Sequence, residues 1–182
     1  MLEMTVKNTG MMMIDMQEKL LPVMDRKEEV LANTIKLLRG AMELGVVSCA
    51  LRQYPKGLGD TIFSIQENYR GLFPTLDKTT FSGLGDQEVA DWVKGVDKKY
   101  LILCGVETHI CVLHTAFDLI SMGVTPVIAC DCVSSRRRED SKAALDCLRN
   151  QGALVLPLES ILFGLLKDSK DPSFPYISKL IK

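Results

Sequence analysis

The chain has no strong charge of either sign: 22 Lys and Arg stand against 23 Asp and Glu, a formal net charge of -1. Nucleic-acid binders carry a basic excess, so that class is not the first reading. No apolar run approaches the roughly 20 residues that a membrane-spanning helix needs. The first residues, Met1-Leu2-Glu3-Met4-Thr5, have neither a charged leader region nor a long apolar core, so secretion is not expected. A cytoplasmic protein is the expectation, with mitochondrial association left open. Repeats, low-complexity tracts and linkers are missing too. That leaves one domain over residues 1–182, with a C-terminal tail over 168–182.

What is present is an ordinary globular composition, 47% apolar and 25% charged, over a length that can bury a sizeable core. Six cysteines stand out: Cys49, Cys104, Cys111, Cys130, Cys132 and Cys147. A core of this size needs no disulfide staples, and most of the six lie in apolar runs where a thiol acts as a small hydrophobe. The question is whether one of them is a nucleophile.

Short apolar runs alternate with helical spacing. Residues 11–14, 46–51, 100–104, 126–130 and 153–156 read as buried strands. Helices are predicted from Asp25 to Gly45, over 61–67, 87–93, 108–122, 139–150 and 160–167, and near 177–181. Asp25 with Glu28 reads as a capping box and Gly45 as a helix stop. Residues 71–78 read as irregular. Strands separated by helices predict an α/β fold, a three-layer α/β/α sandwich with a doubly wound, mainly parallel, Rossmann-like sheet. Ligands bind such sheets beyond the carboxyl ends of the strands. Those ends carry Asp15, Arg52 to Tyr54, Lys78, Gly105 to Cys111, and Asp131.

In Gly105-Val106-Glu107-Thr108-His109-Ile110-Cys111-Val112, a strand ends and Thr108 offers a natural N-cap. Cys111 then falls in the first helical turn. There the helix dipole favours the thiolate, and free N–H groups can hold an oxyanion. The equal reading is one more buried thiol. Asp15 could take the thiol proton, or cap a turn. Lys78 could hold a carboxylate–thiol pair, or lie solvated. His109 reads as a pocket wall and His114 as structural or solvated, with Leu113, Ala116, Phe117 and Ile120 as the buried stripe. Cys130 and Cys132 read as packing on one side of a strand. Arg136, Arg137 and Arg138 form the single basic cluster, with Glu139 and Asp140 at hand.

Together, Asp15 in D-x-Q form, Lys78, and G-V-E-T-x-x-C-V ending near Cys111 make a pattern. Gln53 to Gly59, Asp131 to Arg136, Ala144 to Arg149 and Phe174 to Lys182 extend it along nearly the whole chain. The chain resembles the isochorismatase-like (cysteine hydrolase) family, nearest to the isochorismatase-domain proteins of unassigned substrate. The resemblance implies a catalytic triad of Asp15, Lys78 and Cys111 that opens a small amide-like C–N substrate through a thioester. It implies a cis peptide at Val106–Glu107, which would aim the N–H groups of Glu107 and Cys111 at the oxyanion. Pocket candidates are Gln17, Arg52, Tyr54, Phe81 and His109. A homo-oligomer, dimer or larger, is expected. Leu51-Arg52 stands where relatives carry Thr-Glu. The nicotinamidase branch's D-x-H metal element is absent, so no metal and no cofactor are expected.

Two other readings stay open. Asp15, Glu107 and Asp131 could form an acidic cluster for a Mg-dependent phosphoryl hydrolase. Arg52 and Arg136 to Arg138 could instead mark a scaffold or RNA-associated protein that has lost turnover.

Overall fold

A computed structural model describes residues 3–69 and 71–182, so Met1 and Leu2, read above for a leader, lie outside the described residues. Six strands, β1 (Thr9–Ile14), β2 (Val47–Gln53), β3 (Thr75–Lys78), β4 (Tyr100–Val106), β5 (Thr125–Ser134) and β6 (Leu154–Leu156), form one sheet. Their spatial order is β3-β2-β1-β4-β5-β6, and every pairing is parallel. The helices are α1 (Lys27–Glu43), α2 (Pro55–Leu58), α3 (Phe63–Tyr69), α4 (Gln87–Val96), α5 (Leu113–Ser121), α6 (Arg138–Asn150), α7 (Leu158–Leu166) and α8 (Phe174–Ile181).

All residues of β1 and β4 are buried, because helices cover both faces of the sheet. That is why these strands are continuous apolar runs rather than alternating ones. Met11, Met13, Ile102 and Cys104 join α1, α3, α7 and α8 in one core. Met12, Ile14, Leu101 and Leu103 join α4, α5 and α6 in the other. The strand order reverses between β1 and β4, so their carboxyl ends flank the crevice where such sheets bind ligands. Among the described residues, no helix is long and apolar enough to cross a membrane.

Gly105 permits the closest approach within that crevice. It pairs with Ile14 at φ +111°, and a Cβ there would sit 1.9 Å from the Ile14 carbonyl oxygen. Only glycine fits.

Several local expectations are corrected. Arg26, at φ 51°, precedes α1 without a side-chain cap, so the Asp25–Glu28 box does not form. Asp25 instead ties to the end of β5: its N–H donates to the Ser135 carbonyl at 3.0 Å, and its carbonyl accepts from Ser134 Oγ at 2.5 Å. Gly45, at φ 75°, does follow the end of α1. The stretch over 71–78 contains β3, an edge strand too short to show a period.

Residues 108–122 begin as a π-helical turn over Thr108–Val112 and become α-helical only at Leu113. Thr108 is not the cap; it is buried, with its hydroxyl accepting from Ser141 Oγ at 3.0 Å. The buried side of α5 is Thr115, Ala116 and Leu119, with Leu113, Phe117 and Ile120 half-buried. A bulge lies in β5: Leu103 faces Ile128 but Gly105 faces Val133. The odd number of extra residues switches the faces, so Cys132 enters the same core as Ala129, while Cys130 is half-buried. In the segment expected as a tail, α8 packs on α1 and buries Ile177.

Candidate active site

Asp15 leaves β1 in the left-handed region at φ 52°, with its N–H held by the Leu51 carbonyl at 3.1 Å. Asp adopts this conformation more readily than most residues. Its Oδ2 accepts from Lys78 Nζ at 2.7 Å, and both side chains are fully buried. Lys78 closes β3 rather than lying in a loop, opposite Gln53 of β2. The ammonium also donates to Gln53 Oε1 at 2.5 Å and to the Thr80 carbonyl at 3.3 Å. Three N–H groups thus meet three acceptors, which is how a buried ammonium is tolerated. The other carboxylate oxygen, Asp15 Oδ1, is buried and has no hydrogen-bond partner.

Cys111 lies in the π-helical turn, 7% exposed, in the same core as Ile14 and Leu51. It is close enough for the charges of Asp15 and Lys78 to act on it. Burial pushes its thiol up to about 12; the Asp15 charge adds to this and Lys78 opposes it. Burial thus acts against the preference for the thiolate expected at a helix start. Burial also raises the Asp15 carboxyl above its usual 3.8, against the pull of Lys78. A raised carboxylate is a better base for a buried thiol. All six cysteines are free thiols, and Cys147 is the exposed one.

The segment that follows β5 grips the turn ahead of Cys111. The Val106–Glu107 peptide is cis. Glu107 Oε2 accepts from the Arg136 N–H and from Arg136 Nε, each at 3.1 Å. Ser135 Oγ accepts from the His109 N–H at 3.4 Å and lies 2.8 Å from His109 Nδ1. Ser141 holds Thr108 as described. Three successive residues are each tied by a different side chain.

Not every expected pocket residue converges on this point. Gln17 is fully buried and its amide is saturated: Nε2 donates to the Gln53 and Gly59 carbonyls, and Oε1 accepts from the Gln53 N–H at 2.7 Å. It braces the loop, with both ends of its amide engaged by backbone groups. Arg52 points to the opposite face from Gln53, pairing with Asp77 at 2.7 Å and Asp60 at 2.8 Å. Its charge is not at the Asp15–Lys78 pair. Tyr54 and Phe81 are exposed, and Tyr54 lines a small cavity with Lys78, Thr79 and Asp86. His109 is half-buried against Ser135 and His114 is exposed.

The acidic cluster required for magnesium does not assemble. Asp15 is held by Lys78 and Glu107 by Arg136, while Asp131 accepts from the Leu158 N–H at the start of α7. Among the described residues, no three His, Cys, Asp or Glu side chains come together as a metal site. Sequence reasoning passed over Gln53 as a Lys78 ligand and Ser135 and Ser141 as braces. The only signal was their place in the Gln53–Gly59 loop and after β5.

Known proteins give the wider setting. A family model described as "Isochorismatase domain" matches residues 9–160. Isochorismatase domain-containing protein 2 of Danio rerio is 34% identical over 177 residues, covering 97% of this chain and 88% of its own. The structure of MAR1 ribonuclease from Caenorhabditis elegans superposes with a TM-score of 0.92 at 31% identity, over 98% of this chain and 91% of that one. The Escherichia coli YcaC product, described as an octameric hydrolase of unknown specificity, shares the fold at a TM-score of 0.90 and 16% identity, over 100% and 95% of the two chains.

Proposed function

This chain belongs to the isochorismatase family, and on that premise we propose that it is a metal-independent cysteine hydrolase of small amide-like C–N substrates. One observation carries the reading: a buried Lys78–Asp15 pair leaves one carboxylate oxygen without a partner, near a thiol whose ionisation burial opposes. In the first step Asp15 takes the proton from Cys111 Sγ as sulfur attacks the acyl carbon. The N–H groups of Glu107 and Cys111 hold the oxyanion. As the C–N bond breaks, Asp15 returns the proton to the departing nitrogen, and an amine or ammonia leaves. Water then attacks the thioester, giving its proton to Asp15; the C–S bond breaks, the carboxylic acid leaves, and Asp15 returns the proton to the Cys111 sulfur, closing the cycle.

The site is expected to function within a homo-oligomer. The exposed Tyr54 and Phe81 rings support this, and the same fold assembles as an octamer in the E. coli protein. The name of the C. elegans relative makes RNA the second substrate to assay. The deciding experiment screens small amides, and RNA in parallel, with the wild type and Cys111→Ala after dialysis against EDTA. The reading expects an amide hydrolysed with chelator present, a Cys111 acyl adduct in the intact mass, and loss of at least about a thousandfold in the variant. Activity that survives Cys111→Ala, or that vanishes with EDTA, overturns it.

A further inference from the structure

The ammonium of Lys78 has three N–H groups and three protein acceptors: Asp15 Oδ2 at 2.7 Å, Gln53 Oε1 at 2.5 Å and the Thr80 carbonyl at 3.3 Å. None is left to donate to a substrate. The Gln53 amide is itself fixed on both ends. Its Nε2 donates to the Thr79 carbonyl at 2.8 Å, and its backbone N–H and carbonyl are both engaged by Gln17. Gln17 lies two residues after Asp15, so the D-x-Q element acts on Lys78 twice, directly through its Asp and by way of Gln53 through its Gln.

We propose that Gln53 is a positioning residue that holds the Lys78 ammonium against Asp15 and within reach of Cys111, with Gln17 as its brace. Lys78 then works only as a fixed charge. Every proton that moves between sulfur, leaving nitrogen and water passes through Asp15 Oδ1, the oxygen that Lys78 leaves open. The carboxylates on the neighbouring elements are engaged elsewhere: Glu107 with Arg136, Asp77 with Arg52 on the far face, and Asp86 with the Glu88 N–H at the start of α4. The inference rests on reading Asp15, Lys78 and Cys111 as one reacting unit.

Its test needs no substrate, so it can fail separately from the hydrolase reading. The rate of Cys111 alkylation by iodoacetamide at pH 9 is read by peptide mapping in wild type and Gln53→Glu, with exposed Cys147 as internal control. A carboxylate on Lys78 offsets the charge that favours the Cys111 thiolate, so about a tenfold slower Cys111 rate is expected at an unchanged Cys147 rate. A merely structural role predicts the opposite, because a loosened loop exposes a buried thiol and speeds its reaction. An unchanged or faster Cys111 rate therefore overturns the proposal. Should Gln53→Glu not fold, Gln53→Leu reads the same comparison at this half-buried position, again with slowing expected and equal or faster reaction overturning it.

Discussion

The two oxygens of Asp15 differ in what they can do. Oδ2 is fixed by Lys78, while Oδ1 is buried without a partner and is the one free to accept a proton. Asp15 must be ionised to act, and burial raises its carboxyl above 3.8. The native state therefore binds this proton more tightly than the unfolded chain. Its ionisation costs stability as pH rises from the unfolded value through the folded one, so Asp15 is no source of acid denaturation. For activity, the acid limb of kcat/KM should reflect one proton with a midpoint above 3.8. A pH–rate profile on the best amide checks this, and a midpoint at or below that value would remove Asp15 as the base. The roles expected for Asp15, Lys78 and Cys111 could be read from strand ends and the family pattern. Gln53 could not, because an uncharged amide gives no titration clue. The outward face of Arg52 was equally hidden, since a strand residue's side depends on register and not on its type.

Between β1 and β4, geometry is set by a backbone approach that a side chain would forbid. Gly105 brings the end of β4 against Ile14 and thereby delivers the cis peptide, Glu107 and the π-helical turn beside Asp15. Gly105→Ala combines an unfavourable φ with a 1.9 Å contact to backbone. A loss of at least about 2 kcal/mol is expected, read as a lower urea midpoint. An unchanged midpoint would mean that the two strands separate freely. The order of these elements follows from alternating apolar runs and helical spacing. Three details escaped that reading for physical reasons. The four residues of β3 are too few for a period, and a five-residue π-helical turn is too short to show a spacing different from that of an α-helix. The β5 bulge leaves no mark in composition, although it changes which core Cys132 enters.

At the scale of the molecule, two apolar cores enclose, among the described residues, one fully buried ion pair, and the cores and the pair have separable tasks. The apolar strands and both helix layers bury enough surface to specify the sheet without any charge at its centre. A buried pair, in contrast, loses in desolvation much of what its attraction returns. Removing one partner is the harmful change, because the other is left charged and unpaired. Lys78→Met should therefore cost about 3–5 kcal/mol, whereas the double variant Asp15→Leu, Lys78→Met should recover most of that loss. Urea unfolding of these proteins together with the Asp15→Leu single variant closes the cycle and gives the coupling. Amide hydrolysis should be absent from both variants, so stability and activity would part company in the double. Recovery would place the pair in the chemistry rather than in the architecture. A double variant no more stable than Lys78→Met would instead make the Asp15–Lys78 contact a requirement of the fold, holding β1 and β3 in place around β2.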